Sequence, residues 1–182
     1  MLVSLNGPRL SWDRFPVQLA TGSTRETRVL YSPQPLPSSK LFRTALLLFS
    51  GGLFLASLTQ PAFYLDQANR DAWADSWYLL LLGWMGLLTG SAEGLPWLAN
   101  PLYLCSLGLF ANGKRLAQWT ASGAALLATC FSAFDTIVAN EAGHRTRVSS
   151  LEAGYYLWAT SMALLAVGCL GYFYLQNRQV SA

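Results

Sequence analysis

Histidine occurs once in this sequence, at position 144, and cysteine three times, at Cys105, Cys130 and Cys169. A single histidine cannot supply the paired axial ligands of a haem held between helices. The three cysteines are odd in number, show no CxxC spacing and all fall in apolar stretches, so they read as small packing residues rather than metal or redox centres. There is no GxSxG, HExxH, P-loop or GxGxxG pattern in a setting that would make it chemical, and no internal repeat. Neither a catalytic centre nor a cofactor is expected. The repeat architecture of secondary transporters is missing as well.

Charge is scarce too. Asp, Glu, Lys and Arg make up 12% of the 182 residues, where a soluble domain carries about 25%. Apolar residues make up 53%. That balance, spread over four long apolar stretches, points to an all-α integral membrane protein built as a four-transmembrane-helix bundle. The spans are expected at 42–65, 95–112, 116–138 and 153–175, each close to the 20 or so residues that cross a bilayer. The domain plan is a cytoplasmic N-terminal tail over 1–40, a transmembrane domain over 41–177 and a short cytoplasmic C-terminus over 178–182. The first apolar run starts too late, and is too long, for a removable signal peptide.

Between the first two spans the pattern breaks. Gly90, Ser91, Glu93, Gly94 and Pro96 interrupt an apolar run that is too long for one helix and too short for two crossings. Residues 77–90, rich in tryptophan, tyrosine and leucine, therefore read as an extra short helix, interfacial or re-entrant, with the interfacial reading favoured. Pro96 suits a first helical turn, whereas Pro101 should kink the following helix or mark its true start. Small residues, Ala121 to Ala125 and Ala128 in the third span and Ala159, Ala163, Ala166, Gly168 and Gly171 in the fourth, form faces on which helices can approach closely, within one chain or between copies.

Basic residues sort to one side of this topology. Arg9, Arg14, Arg25, Arg28, Lys40, Arg43, Lys114, Arg115 and Arg178 share a side with only Asp13 and Glu26, nine bases against two acids, or +7. Arg70, Arg145 and Arg147 share the other with Asp66, Asp71, Asp75, Glu93, Asp135, Glu141 and Glu152, three bases against seven acids, or −4. Lysine and arginine favour the cytoplasmic side, so both termini are expected there, with the chain in the inner (plasma) membrane. A basic cytoplasmic face suits anionic lipid headgroups, and no nucleic-acid binding is needed to explain the net charge of +3.

The tail carries two short alternating runs, 15–20 and 25–31, separated by Thr21, Gly22, Ser23 and Thr24, the pattern of a β-hairpin. Pro33, Pro35 and Pro37 make a stiff connector after it. Arg14, Arg25, Arg28 and Tyr31 are the candidate docking residues for a cytoplasmic protein partner or another copy of the chain, the plainer alternative being a tail that only holds positive charge inside. On the outer side Glu93, Asp135, His144, Arg145 and Arg147 are candidates for a polar pocket. Asp135, placed near the outer end of the third span, would need an arginine or water as partner. The expected function is a non-enzymatic membrane subunit that oligomerises and anchors, senses for or regulates a partner. The alternative is a small oligomeric channel or transporter lined by Glu93, Asp135, Thr120, Ser122, Thr129 and Ser132.

Overall fold

The computed structural model describes residues 37–66, 75–88, 90–138 and 145–181. The tail hairpin, its docking residues Arg14, Arg25, Arg28 and Tyr31, and His144 lie outside the described residues. The described chain is mostly helical, and two of its helices are long and apolar enough to cross a membrane: Lys40–Ser57 within α1 and Ala153–Gln179 within α6.

Helix α1 (Pro37–Ser57) begins on a proline, whose missing N–H costs nothing at a first helical position. It ends eight residues earlier than the span expected over 42–65. Pro61 is the cause: it cannot donate a helical hydrogen bond and pushes the preceding residue towards extended backbone. The last turn closes through N–H groups of Leu58, Thr59 and Gln60 bonded to carbonyls three residues back. Chain then enters a strand, β1 (Phe63–Leu65). Two short helices follow, α2 (Ser76–Leu82) and α3 (Met85–Leu88), where one helix over 77–90 was expected.

A 3-10 helix (Ala92–Leu98) then runs into α4 (Ala99–Ala111). Pro101 falls in the first turn of α4, so it marks the helix start. The turn after α4 is fixed by Gly113 at φ 67°. The Gly113 N–H donates to Phe110 O and the Lys114 N–H to Leu109 O, the paired pattern by which a left-handed glycine closes a helix.

Helix α5 (Leu116–Cys130) also stops short of its expected end at 138. After a 3-10 turn at Phe131–Ala133, the β-branched run Thr136, Ile137 and Val138 forms strand β2. Asp135 therefore lies beyond the helix, exposed, and not inside a span. Strand β3 (Arg145–Leu151) leads directly into α6 (Ala153–Ser181).

Helices α1, α4, α5 and α6 pack as a bundle in which each touches its neighbours, α4 on α5, α5 on α6, α6 on α1 and α1 on α4. Small residues make this possible. Ala117, Ala121, Ala124 and Ala128 recur every three or four residues on α5 and are all fully buried against a core that includes Tyr103, Phe110, Met162 and Leu165. The small-residue face of α5 is thus used within the chain. Gly168 on α6 meets Leu46 of α1 so closely that a Cβ there would collide with the leucine side chain.

Two contacts fix which helix ends lie together. The Arg43 guanidinium near the start of α1 donates to the carbonyl of Ala111 at the end of α4 and lies 5.9 Å from the Phe110 ring. Arg115 at the start of α5 donates to Asn177 Oδ1 near the end of α6 at 2.6 Å. Replacing Arg43 by alanine is expected to remove about 1–2 kcal/mol of stability, the scale of a charge-assisted hydrogen bond, and to lower the unfolding midpoint in detergent. An unchanged midpoint would show that the Ala111 contact does not hold α4 in place.

The opposite end of the bundle carries a three-stranded antiparallel sheet of order β1-β3-β2. Thr136, Ile137 and Val138 pair with Arg147, Thr146 and Arg145, while Phe63, Tyr64 and Leu65 pair with Leu151, Ser150 and Val148 across a bulge. Phe63, Leu65 and Ala62 are buried beneath it, with the half-buried Leu79, Phe131, Ile137 and Val148 packed against them, a second small core distinct from that of the bundle.

Candidate functional site

Between this sheet and the α2–α3 corner lies a cavity of about 800 Å³. The sheet contributes Phe63 and Ile137, the corner Leu79 and Met85, and the bundle end Phe131 and Trp158. The lining is mainly apolar, and the volume falls in the range of sites that enclose a small molecule.

Several backbone contacts hold the walls. Gly94 of the 3-10 helix touches Gly86 of α3 so closely that a Cβ on Gly94 would lie 2.5 Å from the Gly86 carbonyl carbon and oxygen. Trp97 Nε1 donates to Leu80 O at 3.0 Å, tying the 3-10 helix to α2. Trp158 Nε1 donates to Asn100 Oδ1 at 2.8 Å, and Asn100 Nδ2 donates to Trp97 O at 3.1 Å, tying α6 to the start of α4. Tyr155 donates to the carbonyl of Ala128 at 3.1 Å. Just past the end of α1, Gln60 O accepts from Ser76 Oγ at 2.7 Å, tying that turn to the start of α2.

Among the described residues that line the cavity, one side chain is charged. Glu93, in the first turn of the 3-10 helix, is only 9% exposed, and its Oε1 accepts from Arg145 Nη2 at 2.5 Å. Its second oxygen, Oε2, is sealed from solvent and has no hydrogen-bond partner among the described residues. An ionised carboxylate only accepts. Leaving such an acceptor buried and unmet costs about 1–3 kcal/mol, and more when it is charged. Arg145 itself is 58% exposed at the edge of β3, so most of its donors remain at the rim.

Of the residues expected to form a polar pocket, the structure brings together Glu93 and Arg145. Arg147 is exposed, its backbone oxygen accepting from the Asp66 N–H at 2.9 Å. Asp135 is exposed, and its backbone oxygen accepts from the Val148 N–H at 2.9 Å. Asp135 is thus stitched into the sheet by its main chain. Among the described residues no three of the His, Cys, Asp and Glu side chains cluster as a metal site would require. The hydroxyls of Thr120, Ser122, Thr129 and Ser132, considered as a channel lining, each donate to a carbonyl of their own helical turn.

Sequence reasoning missed the apolar walls. Phe63 was absorbed into a helical span, and Ile137 into another. The available signal was the β-branched run at 136–138 facing the alternation of Arg145, Thr146, Arg147 and Val148. No family model matches this chain, and no curated protein or solved structure shows significant similarity to it.

Proposed function

We propose that the chain is a non-enzymatic, four-span membrane subunit of the plasma membrane, with both termini cytoplasmic and the sheet and its cavity outside. The carrying observation is the sorting of charge between the two ends of the bundle. Lys40, Arg43, Lys114, Arg115 and Arg178 sit at the end fixed by the Arg43 and Arg115 contacts, with no described acid among them. At the sheet end, Asp66, Asp75, Glu93, Asp135 and Glu152 outnumber Arg145 and Arg147. This is the asymmetry that orients membrane proteins.

Helix lengths bear on the other two crossings. Helix α4 rises about 20 Å and α5 about 23 Å, most of the hydrocarbon thickness of a bilayer, with the 3-10 segments at their sheet ends reaching the outer margin. The outward faces support an apolar surrounding: Leu48, Phe49, Leu104, Trp119, Leu126 and Val167 are all well exposed on the four helices. A Cβ built on Gly51, Gly52 or Gly171 would meet nothing within 4 Å, leaving openings on α1 and α6 where a helix of a second copy could pack. In this reading the tail, with Arg14, Arg25, Arg28 and Tyr31, serves the cytoplasmic partner, and the outer cap is the binding or sensing part.

Orientation is tested with single cysteines in a chain whose own three are replaced by serine. Ser149→Cys is expected to react with an impermeant maleimide in intact cells, and Asn112→Cys only after permeabilisation. The reverse pattern overturns the orientation, and labelling of both from outside overturns the four-span topology. Native mass spectrometry of the full chain and of a form lacking residues 1–38 tests the subunit role. A stoichiometric partner lost on truncation supports it, whereas a bare oligomer unchanged by truncation overturns it.

A further inference from the structure

We propose that the cavity beneath the sheet holds an aminophospholipid of the phosphatidylethanolamine class, its ammonium on the Glu93 carboxylate, its phosphate on Arg145 and part of an acyl chain against the apolar walls. The assignment rests on the membrane reading above.

Three features select this chemistry. The first is the buried oxygen. Glu93 lines the cavity, whose walls are otherwise mainly carbon, and its buried Oε2 has no hydrogen-bond partner among the described residues. A carboxylate oxygen placed so calls for a donor, and a primary ammonium provides N–H groups and the opposite charge together. The quaternary ammonium of a choline head has no N–H to give. The second is Arg145. One of its donors is used on Glu93 Oε1, and the guanidinium is largely exposed at the rim, where its planar fork suits a phosphate. An adjacent acceptor and donor of opposite charge match a zwitterionic head better than an anionic or a neutral one.

The third feature is location. Helices α2 and α3 wall the cavity on one side, and Trp77 and Leu81 of α2 and Trp84 in the turn after it are exposed away from it. An apolar, tryptophan-rich outer face on a short helix is the signature of a segment lying at the bilayer margin. A lipid is the most abundant amphiphile there. The cavity is smaller than a whole phospholipid, so the rest of the chains remain in the bilayer.

The test is native mass spectrometry of the full chain released from detergent with phosphatidylethanolamine, phosphatidylcholine or phosphatidylglycerol of identical acyl chains, and with glycerophosphoethanolamine as the headgroup alone. The expected result is one retained phosphatidylethanolamine, preferred over the other two lipids by about tenfold, the effect of one charge-assisted hydrogen bond. Glu93→Gln is expected to bring phosphatidylethanolamine down to the level of phosphatidylcholine. Arg145→Gln, which keeps a donor for Glu93 Oε1 and removes the positive charge, is expected to weaken all phospholipids. Ile137→Trp narrows the cavity and should weaken retention, with an unchanged unfolding midpoint in detergent showing that the variant is folded.

Equal retention of the three lipids, or a preference that survives Glu93→Gln, overturns the headgroup assignment. Binding of glycerophosphoethanolamine as tightly as the lipid overturns the acyl part. A chain that labels as expected but retains no lipid loses this inference and keeps the membrane reading, while reversed labelling removes the reading on which the inference stands.

Discussion

Tyr103→Ala is expected to destabilise the protein by about 3–5 kcal/mol, the usual cost of emptying an aromatic side chain from a closed core. Tyr103 is fully buried, and its ring stacks on Phe54 with centroids 5.0 Å apart. Its hydroxyl is 2.8 Å from Ser50 Oγ, which in turn donates to the carbonyl of Ser161 at 2.9 Å. One residue thereby joins α4 to α1 and, through Ser50, to α6. Because Ser50 gives its single proton to Ser161, the tyrosine is the donor in the pair. Tyr103→Phe keeps the packing and leaves Ser50 bonded to Ser161, so it should cost only about 1 kcal/mol. The difference between the two variants, read from chemical unfolding in mixed micelles, separates packing from hydrogen bonding. A Tyr103→Ala protein within 1 kcal/mol of the parent would show that this layer is not closed as described.

Gly154→Ala is the second large effect, at about 2–3 kcal/mol, because the added methyl meets backbone that cannot yield cheaply. A Cβ at this position would lie 2.6 Å from Pro61 O and 2.7 Å from Gln60 O, and would also strike Ser76 Oγ. The Gly154 N–H already donates to Pro61 O at 2.9 Å, and Ser76 donates to Gln60 O, so three chain segments converge on one residue. The end of α1, the start of α2 and the start of α6 would all have to part. Proteolysis between residues 58 and 76 should accelerate along with the loss of stability. Gly171→Ala is the control. A Cβ on Gly171 would meet nothing within 4 Å, and alanine suits a helix interior better, so stability should hold or rise by up to about 1 kcal/mol. Equal effects of the two substitutions would refute the steric account.

Much of the bundle was legible because its signals are local. The apolar runs, the proline starting α4 and the alanine spacing of α5 each lie within a single helix. The sorting of bases needed only a count along the chain. Helix ends were less legible at the sheet side, where Phe63 to Leu65 and Thr136 to Val138 are apolar enough to extend a span yet are held in strands. Three-residue strands leave almost no periodicity to read, and their conformation is decided by pairing with β3, far away in sequence. The site was half legible for the same reason. Glu93 stood out as an acid in a broken apolar pattern. Its partner Arg145, fifty-two residues later, could be identified only once β3 had been placed in the sheet.

The order of strands bears on how the molecule is made. The central strand, β3, is the last of the three to be synthesised, and both outer strands depend on it for every ladder hydrogen bond they make in the sheet. Residues of β1 must wait for a partner roughly eighty positions downstream, a closure of long range and therefore slow. The helices before it can meet as soon as they emerge, but the cap and its cavity form only when the final connection has arrived. A chain interrupted before residue 145 would thus present Phe63, Leu65 and Ile137 uncovered. Such a surface is one by which quality-control factors can distinguish an unfinished copy from a finished one.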